Sequence, residues 1–359
     1  MKIRRNIQLY VLSLVMLFIL KCGDKFDLNN INTGNSNINI TGDTLYIPIN
    51  PVWEGFNKPQ DIMVGREPFI YVADTENDRI VLLNLDGQVL GTKSIKKPVT
   101  IAQDYRLNLI VCAHFDTLGQ TYSAVYKIDL VSVNHQLGLA PIKRLLPQLT
   151  DLTQPQREYT GVAVFFNNSF YVSRRGPNNS NLEDPDNKVL KFIQKRLQDG
   201  TTIDSLSPFS VALLDPTGTG IMSANRISSL SSYGNRSYDF LLTLIGNNSF
   251  KVQPLKYIIT QDFTGYQILY SPLSNDIMTP NVFDQPEGAT VDNASNIYVT
   301  DAGKDSVFKF NSFGDELNSF GGPDVFDQPH GVAFFDKILY VADTGNDRIL
   351  RFILSTEIQ

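Results

Sequence analysis

A few polar side chains of this sequence could bind or transform a ligand if the fold brought them to one place. Glutamate and histidine can exchange protons near neutral pH, while arginine, lysine and glutamine can hold a polar group in position. The candidates fall at equivalent places of an internal repeat and are Gln60, His114, Arg174, Arg175, Glu287, Lys304 and His330. We predict that they surround a common opening, and that the elements that position them belong to the repeat.

Metal chemistry has little support among the residues of the chain. The sequence contains three histidines and two cysteines, and none of them has the spacing typical of a zinc site. The polar stretch 174–187 contains Glu183, Asp184 and Asp186, whose oxygens could bind calcium. It lacks the glycine and the regular alternation of a calcium loop, so we interpret it as a solvated surface loop. We predict no metal and no other cofactor.

Three copies of one pattern lie near the two ends of the chain. They are Phe56–Leu83, Phe283–Phe310 and Phe326–Phe352, and each opens with Phe-x-x-Pro and continues to a Tyr-Val-(Ala/Thr)-Asp run. Each copy contains three short runs rich in β-branched and aromatic residues, separated by turn residues, which predicts three strands. Glu316–Phe320 adds a fourth strand to the second copy. Four antiparallel strands per repeat are typical of a propeller blade.

The last copy resembles the repeats of the NHL family. Pro329–Ala333 corresponds to the Pro-x-Gly opening of that family, and Leu339–Ile349 corresponds to its Ile-Tyr-Val-Ala-Asp-Thr-x-Asn-x-Arg-Ile core. The first copy follows the core closely but has Asp61 where glycine is usual, and the second copy has Ser306 in place of the arginine. The resemblance implies an all-β, six-bladed β-propeller of the TolB-like superfamily, built from four-stranded antiparallel blades.

The middle of the chain has the rhythm of strands without the motif. Blades two, three and four are predicted to begin at Pro98, near Thr160 and at Arg226, and the outer strand of blade three is placed at Phe209–Leu214. A run of β-branched and aromatic residues also precedes the first repeat, at 44–49, whereas the last repeat ends after three strands. We therefore predict that this N-terminal strand completes the last blade, because an open ring would leave unpaired backbone groups at an edge.

The fold that the resemblance implies explains why the candidate residues would meet. The loop before the first strand of a blade and the loop between its second and third strands open at the same end of the disc. The variable residue of each Pro-x-Gly and the second-to-third loops would therefore surround the mouth of a central channel. The aspartates and arginines of the repeat are interpreted as scaffold, with the arginines pairing to neighbouring blades; these residues are Asp74, Asp301, Asp343, Arg79 and Arg348.

The N-terminal residues have the pattern of an export signal. Basic residues precede an apolar run at Leu9–Leu20, and Cys22 follows almost at once. This arrangement resembles the signal of a bacterial lipoprotein, which implies that Cys22 is lipidated. We predict a signal peptide at 1–22, a flexible tether at 23–42 and the propeller at 43–359. The expected location is the bacterial cell envelope, facing the periplasm or the cell exterior.

The function expected from these features is binding rather than catalysis. The formal net charge of −6 argues against a nucleic-acid partner, which needs a basic face. We predict a membrane-anchored scaffold that binds a protein, a peptide or a glycan. The alternative is a lyase or hydrolase at the channel mouth, similar to the peptidyl-hydroxyglycine lyases or the lactonases. Such an enzyme could depend on a metal.

Overall fold

A computed structural model describes residues 45–357, apart from 149–151, 182, 209–210, 212–213, 235–236 and 273. Within these residues, 24 strands form six antiparallel sheets of four strands each. The signal peptide predicted at 1–22, Cys22 and the tether predicted at 23–42 lie outside the described residues. In the described part of the chain, no helix has both the length and the apolar character that crossing a membrane requires.

The first three blades follow the order of the chain. The strand that precedes them is β1 (Tyr46–Pro48). Blade one contains β2 (Pro59–Val64), β3 (Ile70–Asp74), β4 (Arg79–Leu83) and β5 (Val89–Ser94). Blade two contains β6 (Thr100–Gln103), β7 (Leu109–Thr117), β8 (Gln120–Ile128) and β9 (Ile142–Leu146). Blade three contains β10 (Glu158–Val164), β11 (Phe170–Arg175), β12 (Lys188–Arg196) and β13 (Thr202–Leu206).

The last three blades complete the ring. Blade four contains β14 (Ile227–Ser232), β15 (Phe240–Leu244), β16 (Val252–Ile259) and β17 (Thr264–Ile268). Blade five contains β18 (Pro286–Val291), β19 (Ile297–Asp301), β20 (Ser306–Phe310) and β21 (Glu316–Gly321). Blade six contains β22 (Pro329–Phe335), β23 (Ile338–Asp343) and β24 (Arg348–Leu354). Short 3₁₀ helices occupy Thr75–Asn77, Val131–Val133, Leu137–Leu139, Asp276–Met278, Thr344–Asn346 and Ser355–Glu357.

The N-terminal strand closes the ring, as the sequence predicted. β1 pairs antiparallel with β24, with Tyr46 opposite Leu354 and Ile47 opposite Ile353. Beyond the strand, the amide of Ile49 donates to the carbonyl of Arg351 at 2.8 Å. Pro48 is tolerated because β1 is the outermost strand of blade six, where the missing N–H costs no ladder bond. The closure makes blade six a neighbour of blade one.

The inner strands of the six blades form a continuous ring around the axis. β2, β6, β10, β14, β18 and β22 contact one another in that order, and β22 contacts β2. At each of the six junctions between blades, a side-chain hydroxyl reinforces the contact by donating to a carbonyl of the next blade. The pairs are Thr75 to Pro98, Thr100 to Thr160, Thr160 to Ile227, Ser228 to Pro286, Thr300 to His330 and Thr344 to Pro59.

The charged residues of the repeat serve the scaffold within their own blade. Arg79 Nε donates to Asp74 Oδ2 at 2.6 Å, and another guanidinium nitrogen of Arg79 donates to the carbonyl of Gly55 at 2.9 Å. Arg348 pairs with Asp343 in the same way, at 2.7 Å. Because each arginine bonds within its own blade, the predicted pairing to neighbouring blades is wrong. The reason is geometric: residue pairs 74/79 and 343/348 face each other across adjacent strands.

This part of the repeat contacts the neighbouring blade through the aspartate that precedes each of these arginines. Asp78 Oδ1 accepts the amide of Lys97 in blade two at 2.9 Å. Asp347 Oδ1 accepts the amide of Lys58 in blade one at 2.8 Å. Both aspartates have positive φ, of 51° and 57°, and short polar side chains tolerate this conformation best. The Asn-Asp-Arg sequence of the repeat thus stabilises both the blade and its junction.

One outer strand lies away from its predicted position. The fourth strand of blade three is Thr202–Leu206, and Leu206 pairs with Phe192 of the third strand. The prediction of Phe209–Leu214 is therefore wrong. An outer strand leaves one face to solvent, and Thr202–Leu206 is half exposed and largely polar, so it lacks the apolar run on which the prediction relied.

Candidate functional site

The central channel encloses about 410 Å³ and is lined by the inner strands of all six blades. The variable residue of each blade opening lies on its wall. These residues are Gln60, Val99, Thr160, Ser228, Glu287 and His330. Ser228 was missed because blade four opens with Ile227-Ser228-Ser229, which has neither the proline nor the glycine of the motif.

A β-bulge sets the direction of these side chains. In blade one, Pro59 pairs with Asp74 and Asp61 pairs with Ala73, so Gln60 has no residue opposite it. The register shifts at the same place in four other blades, at Thr160, Ser228, Glu287 and His330. A bulge leaves one residue unpaired and re-aims its side chain. The variable residues therefore reach the channel.

Three of these bulged residues are left without partners. Among the described residues, the side chains of Gln60, Glu287 and His330 have no hydrogen bond or ion pair, although each is half-buried. By contrast, the hydroxyls of Thr160 and Ser228 are engaged with carbonyls of the next blade. Polar side chains that line a cavity and have no protein partner mark a place where a ligand can bind.

The electrostatic surroundings keep Glu287 close to its titration point at neutral pH. Burial raises the pKa of the Glu287 carboxyl to about 7, and the nearby Arg175 and Arg226 only partly oppose this rise. Asp301 adds a smaller upward effect on the same pKa. The carboxyl of Glu287 can therefore both donate and accept a hydrogen bond near pH 7.

His330 is neutral at the same pH. Burial lowers the pKa of its imidazole to about 4, and the positive charge of Arg175 lowers it further. A neutral imidazole has one donor nitrogen and one acceptor nitrogen. Glu287 and His330 belong to the adjacent blades five and six, and Gln60 belongs to blade one, which follows blade six around the ring.

Asp61 is a channel residue that was noted in the sequence only as a departure from the motif. It occupies the position that is glycine in blades five and six. Its carboxylate accepts the amide of Ile101 in blade two at 2.8 Å and the amide of Ile62 at 2.9 Å. Burial raises the pKa of Asp61 to about 7 against the effect of these two bonds. Asp61 thus joins blades one and two, and the broken Pro-x-Gly pattern was the signal for it.

The two adjacent arginines of blade three face opposite ways, as neighbours along a strand must. Arg175 lines the channel, and its Nε donates to Glu158 Oε2 at 2.7 Å. Arg174 is buried away from the channel, where it donates to Asp184 Oδ1 at 2.6 Å and to the carbonyl of Asp186 at 3.2 Å. Only one of the two predicted arginines therefore belongs to the channel wall.

The polar insertion after these arginines is exposed to solvent over much of 177–183, as the sequence predicted, but its end is buried and held by arginines. Arg157 Nε donates to Asp186 Oδ1 at 2.8 Å, and Arg157 also binds the Asp184 carboxylate at 2.8 Å. Asp186 and Asn187 are almost fully buried. Asp184 and Asp186, two of the three carboxylates that could have bound calcium, are thus neutralised by arginines. Within the described residues, no group of three or more histidines, cysteines and acidic residues could hold a metal.

The two remaining candidates lie away from the channel. His114 is in β7, and its Nδ1 lies 3.1 Å from the carbonyl oxygen of Lys97. Lys304 Nζ donates to the carbonyl of Val282 at 2.6 Å. Of the seven candidates, the structure brings together Gln60, Arg175, Glu287 and His330 and leaves out His114, Arg174 and Lys304.

Comparison with known proteins shows one matching repeat family and several structures of similar fold. The NHL repeat family matches residues 326–352. A candidate gluconolactonase has a similar structure, with 13% identity, a TM-score of 0.54, and coverage of 88% of this chain and 93% of that chain. The PQQ-bound aldose sugar dehydrogenase from Streptomyces coelicolor has 12% identity, a TM-score of 0.53, and coverage of 87% and 98%. An auxiliary nutrient binding protein from Bacteroides thetaiotaomicron has 11% identity, a TM-score of 0.54, and coverage of 84% and 70%.

No curated protein sequence matches the chain. The similar structures share so little sequence that they show the fold alone. The six four-stranded sheets and the family match to blade six support one description: the chain is a six-bladed β-propeller whose last blade matches the NHL repeat family.

Proposed function

We propose that this protein is a binding propeller, anchored in the bacterial cell envelope, whose ligand enters the channel beside Gln60, Glu287 and His330. The ligand is a protein, a peptide or a glycan that inserts a polar group there. The observation that carries the proposal is the set of three half-buried polar side chains on one cavity wall that have no partner in the described protein. A rigid ring of blades holds these side chains in place, so little ordering is needed on binding.

The location rests on the N-terminal sequence. Cys22 follows an apolar run that is shorter than a membrane span, and a lipid on this cysteine would tether the propeller outside the cytoplasm. The auxiliary nutrient binding protein of similar fold shows that such a propeller can serve in binding, although its low identity carries no ligand to this chain. The location is checked by fractionation: the protein with Cys22→Ser leaves the membrane fraction if the proposal holds and stays there if it does not.

The binding site is tested by screening peptides and oligosaccharides against the soluble propeller and measuring affinity for the best binder. Gln60→Ala and His330→Ala are each expected to weaken binding by about tenfold, or about 1.4 kcal/mol, because each removes a direct polar contact. Lys143→Ala is the control, since Lys143 is exposed on the outer strand of blade two. Equal affinity for all three variants and the unchanged protein would contradict the proposal.

The alternative function is proton-transfer catalysis at the same place. It is favoured by one observation: a carboxyl with a pKa near 7 and a neutral imidazole lie on adjacent blades of one channel wall. For an enzyme of this kind, Glu287→Gln would abolish turnover while binding remained. The test is to incubate the unchanged protein for a long time with a ligand whose affinity the channel variants lower, and then to analyse the ligand. If the ligand is chemically intact, this alternative is ruled out for that ligand.

A further inference from the structure

The unpartnered side chains of the channel mouth share one hydrogen-bonding character. The Gln60 amide has donors and an acceptor, and the His330 imidazole, which burial keeps neutral, has one of each. The Glu287 carboxyl is partly protonated near pH 7 and can also donate and accept. Groups of this kind are matched best by partners that donate and accept at the same atom. Hydroxyl groups do so.

The fixed charges beside these side chains are neutralised. Arg175 is paired with Glu158, and Arg174 is paired with Asp184. The charges that remain along the channel include Arg226 and Arg66 and the partly ionised Glu287 and Asp61, so both signs are present. A ligand with a net charge would therefore lose its hydration without gaining an ion pair that compensates for this loss.

The wall of the channel also carries apolar side chains. Val99 takes the position of the variable residue in blade two, and the buried Ile62, Val162 and Val332 also line the channel. A ligand that fills the channel must therefore present both polar groups and a non-polar surface. Sugar rings have both, because their hydroxyls lie at the edge and their C–H groups form the faces.

The channel also limits the shape of what can bind. Blades surround it on every side, so a ligand can enter only along the axis. Its volume of about 410 Å³ lies in the range of small-molecule sites. These limits fit the end of a chain better than its middle.

We propose that the mouth of the channel binds the end of a neutral, hydroxyl-rich chain, such as the last one or two rings of an oligosaccharide, in preference to a charged peptide. The inference rests on the proposed function and narrows its ligand class. It assigns the polar contacts to Gln60, Glu287 and His330 and the non-polar contact to the side of Val99.

The test is a calorimetric comparison of neutral oligosaccharides with cationic and anionic peptides of similar size, at low and at physiological salt. A neutral sugar is expected to bind with an affinity that salt leaves unchanged, since no net charge is involved. Glu287→Ala is expected to weaken this binding by about tenfold, and Glu287→Gln is expected to recover most of the loss because an amide also donates and accepts. Lys143→Ala serves again as the control.

The other outcomes separate this inference from the broader proposal. If a charged peptide binds instead, with strong salt dependence and with equal losses in Glu287→Ala and Glu287→Gln, the inference is overturned while the binding site stands. If ligands are found but none of them responds to any channel variant, both are overturned. If no neutral sugar binds even at millimolar concentration, the preference for hydroxyl-rich chains is wrong.

Discussion

Replacing Gly331 with alanine is expected to lower the free energy of unfolding by about 3 kcal/mol. A Cβ atom at this position would lie 2.5 Å from the Cα of Asp61 and 2.7 Å from the amide nitrogen of Ile62. Both contacts are with the backbone of the inner strand of blade one. No side chain can move to relieve them, so the two strands must separate.

The comparison that isolates this effect is Gly220→Ala, because a Cβ atom at Gly220 has no heavy atom within 4 Å. Chemical denaturation of both variants measures the difference directly. The separation of the strands would also displace His330 and Gln60, so Gly331→Ala is expected to weaken ligand binding as well. Equal stability of the two glycine variants would show that blades six and one are not packed as closely as described.

The second large effect is expected at the closing strand. Tyr46 is 2% exposed, its ring stacks on Phe320 with centroids 4.6 Å apart, and its hydroxyl donates to Tyr298 Oη at 3.2 Å. Tyr46→Ala removes this packing and leaves a cavity between β1 and blade five. The free energy of unfolding is expected to fall by about 3–5 kcal/mol, as is usual when a buried aromatic ring is removed.

Tyr46→Phe separates the ring from the hydroxyl. It retains the stacking on Phe320 and removes one hydrogen bond, so a loss of about 1 kcal/mol is expected. Thermal and chemical unfolding of the two variants give both values. If the two substitutions cost the same, the buried ring does not hold the closing strand, and the contribution of β1 to the closure must come from its backbone bonds alone.

The closure itself could be predicted from two incomplete pieces of sequence. The last repeat has three strands, and a single strand without a hairpin partner precedes the first repeat, so each supplies what the other lacks. Counting the strands of each repeat in this way does not require knowledge of how the blades pack. This explains why β1 was placed correctly while the outer strand of blade three, which is polar and has no such missing partner, was not.

The channel residues were predictable where the motif was intact. Gln60, Glu287 and His330 follow the prolines that mark each blade opening, and the bulge at this position directs them all to the channel. Ser228 has no such proline before it, and its role depends on a pairing register that local sequence does not fix. Asp61 was visible only as an exception to the pattern.

The second-to-third loops could not be placed from the repeat alone. In blade two the hairpin extends to Thr117, so His114 is a strand residue that faces the opening of its own blade. In blade three, alternation along the strand separates Arg174 from Arg175, and the insertion captures Arg174. Hairpin length and side-chain direction both depend on the register of particular strands, which the motif does not encode.

The central claim is that Glu287 projects, half-buried and without a protein partner, into a channel mouth that it shares with His330. Its carboxyl pKa, measured by carbon NMR during a pH titration and assigned with Glu287→Gln, tests this claim most directly. We expect a pKa of about 7, and we expect it to change when a ligand binds in the channel. The claim would be contradicted by a pKa of about 4.3, the ordinary value of a solvated glutamate, if no ligand changes it.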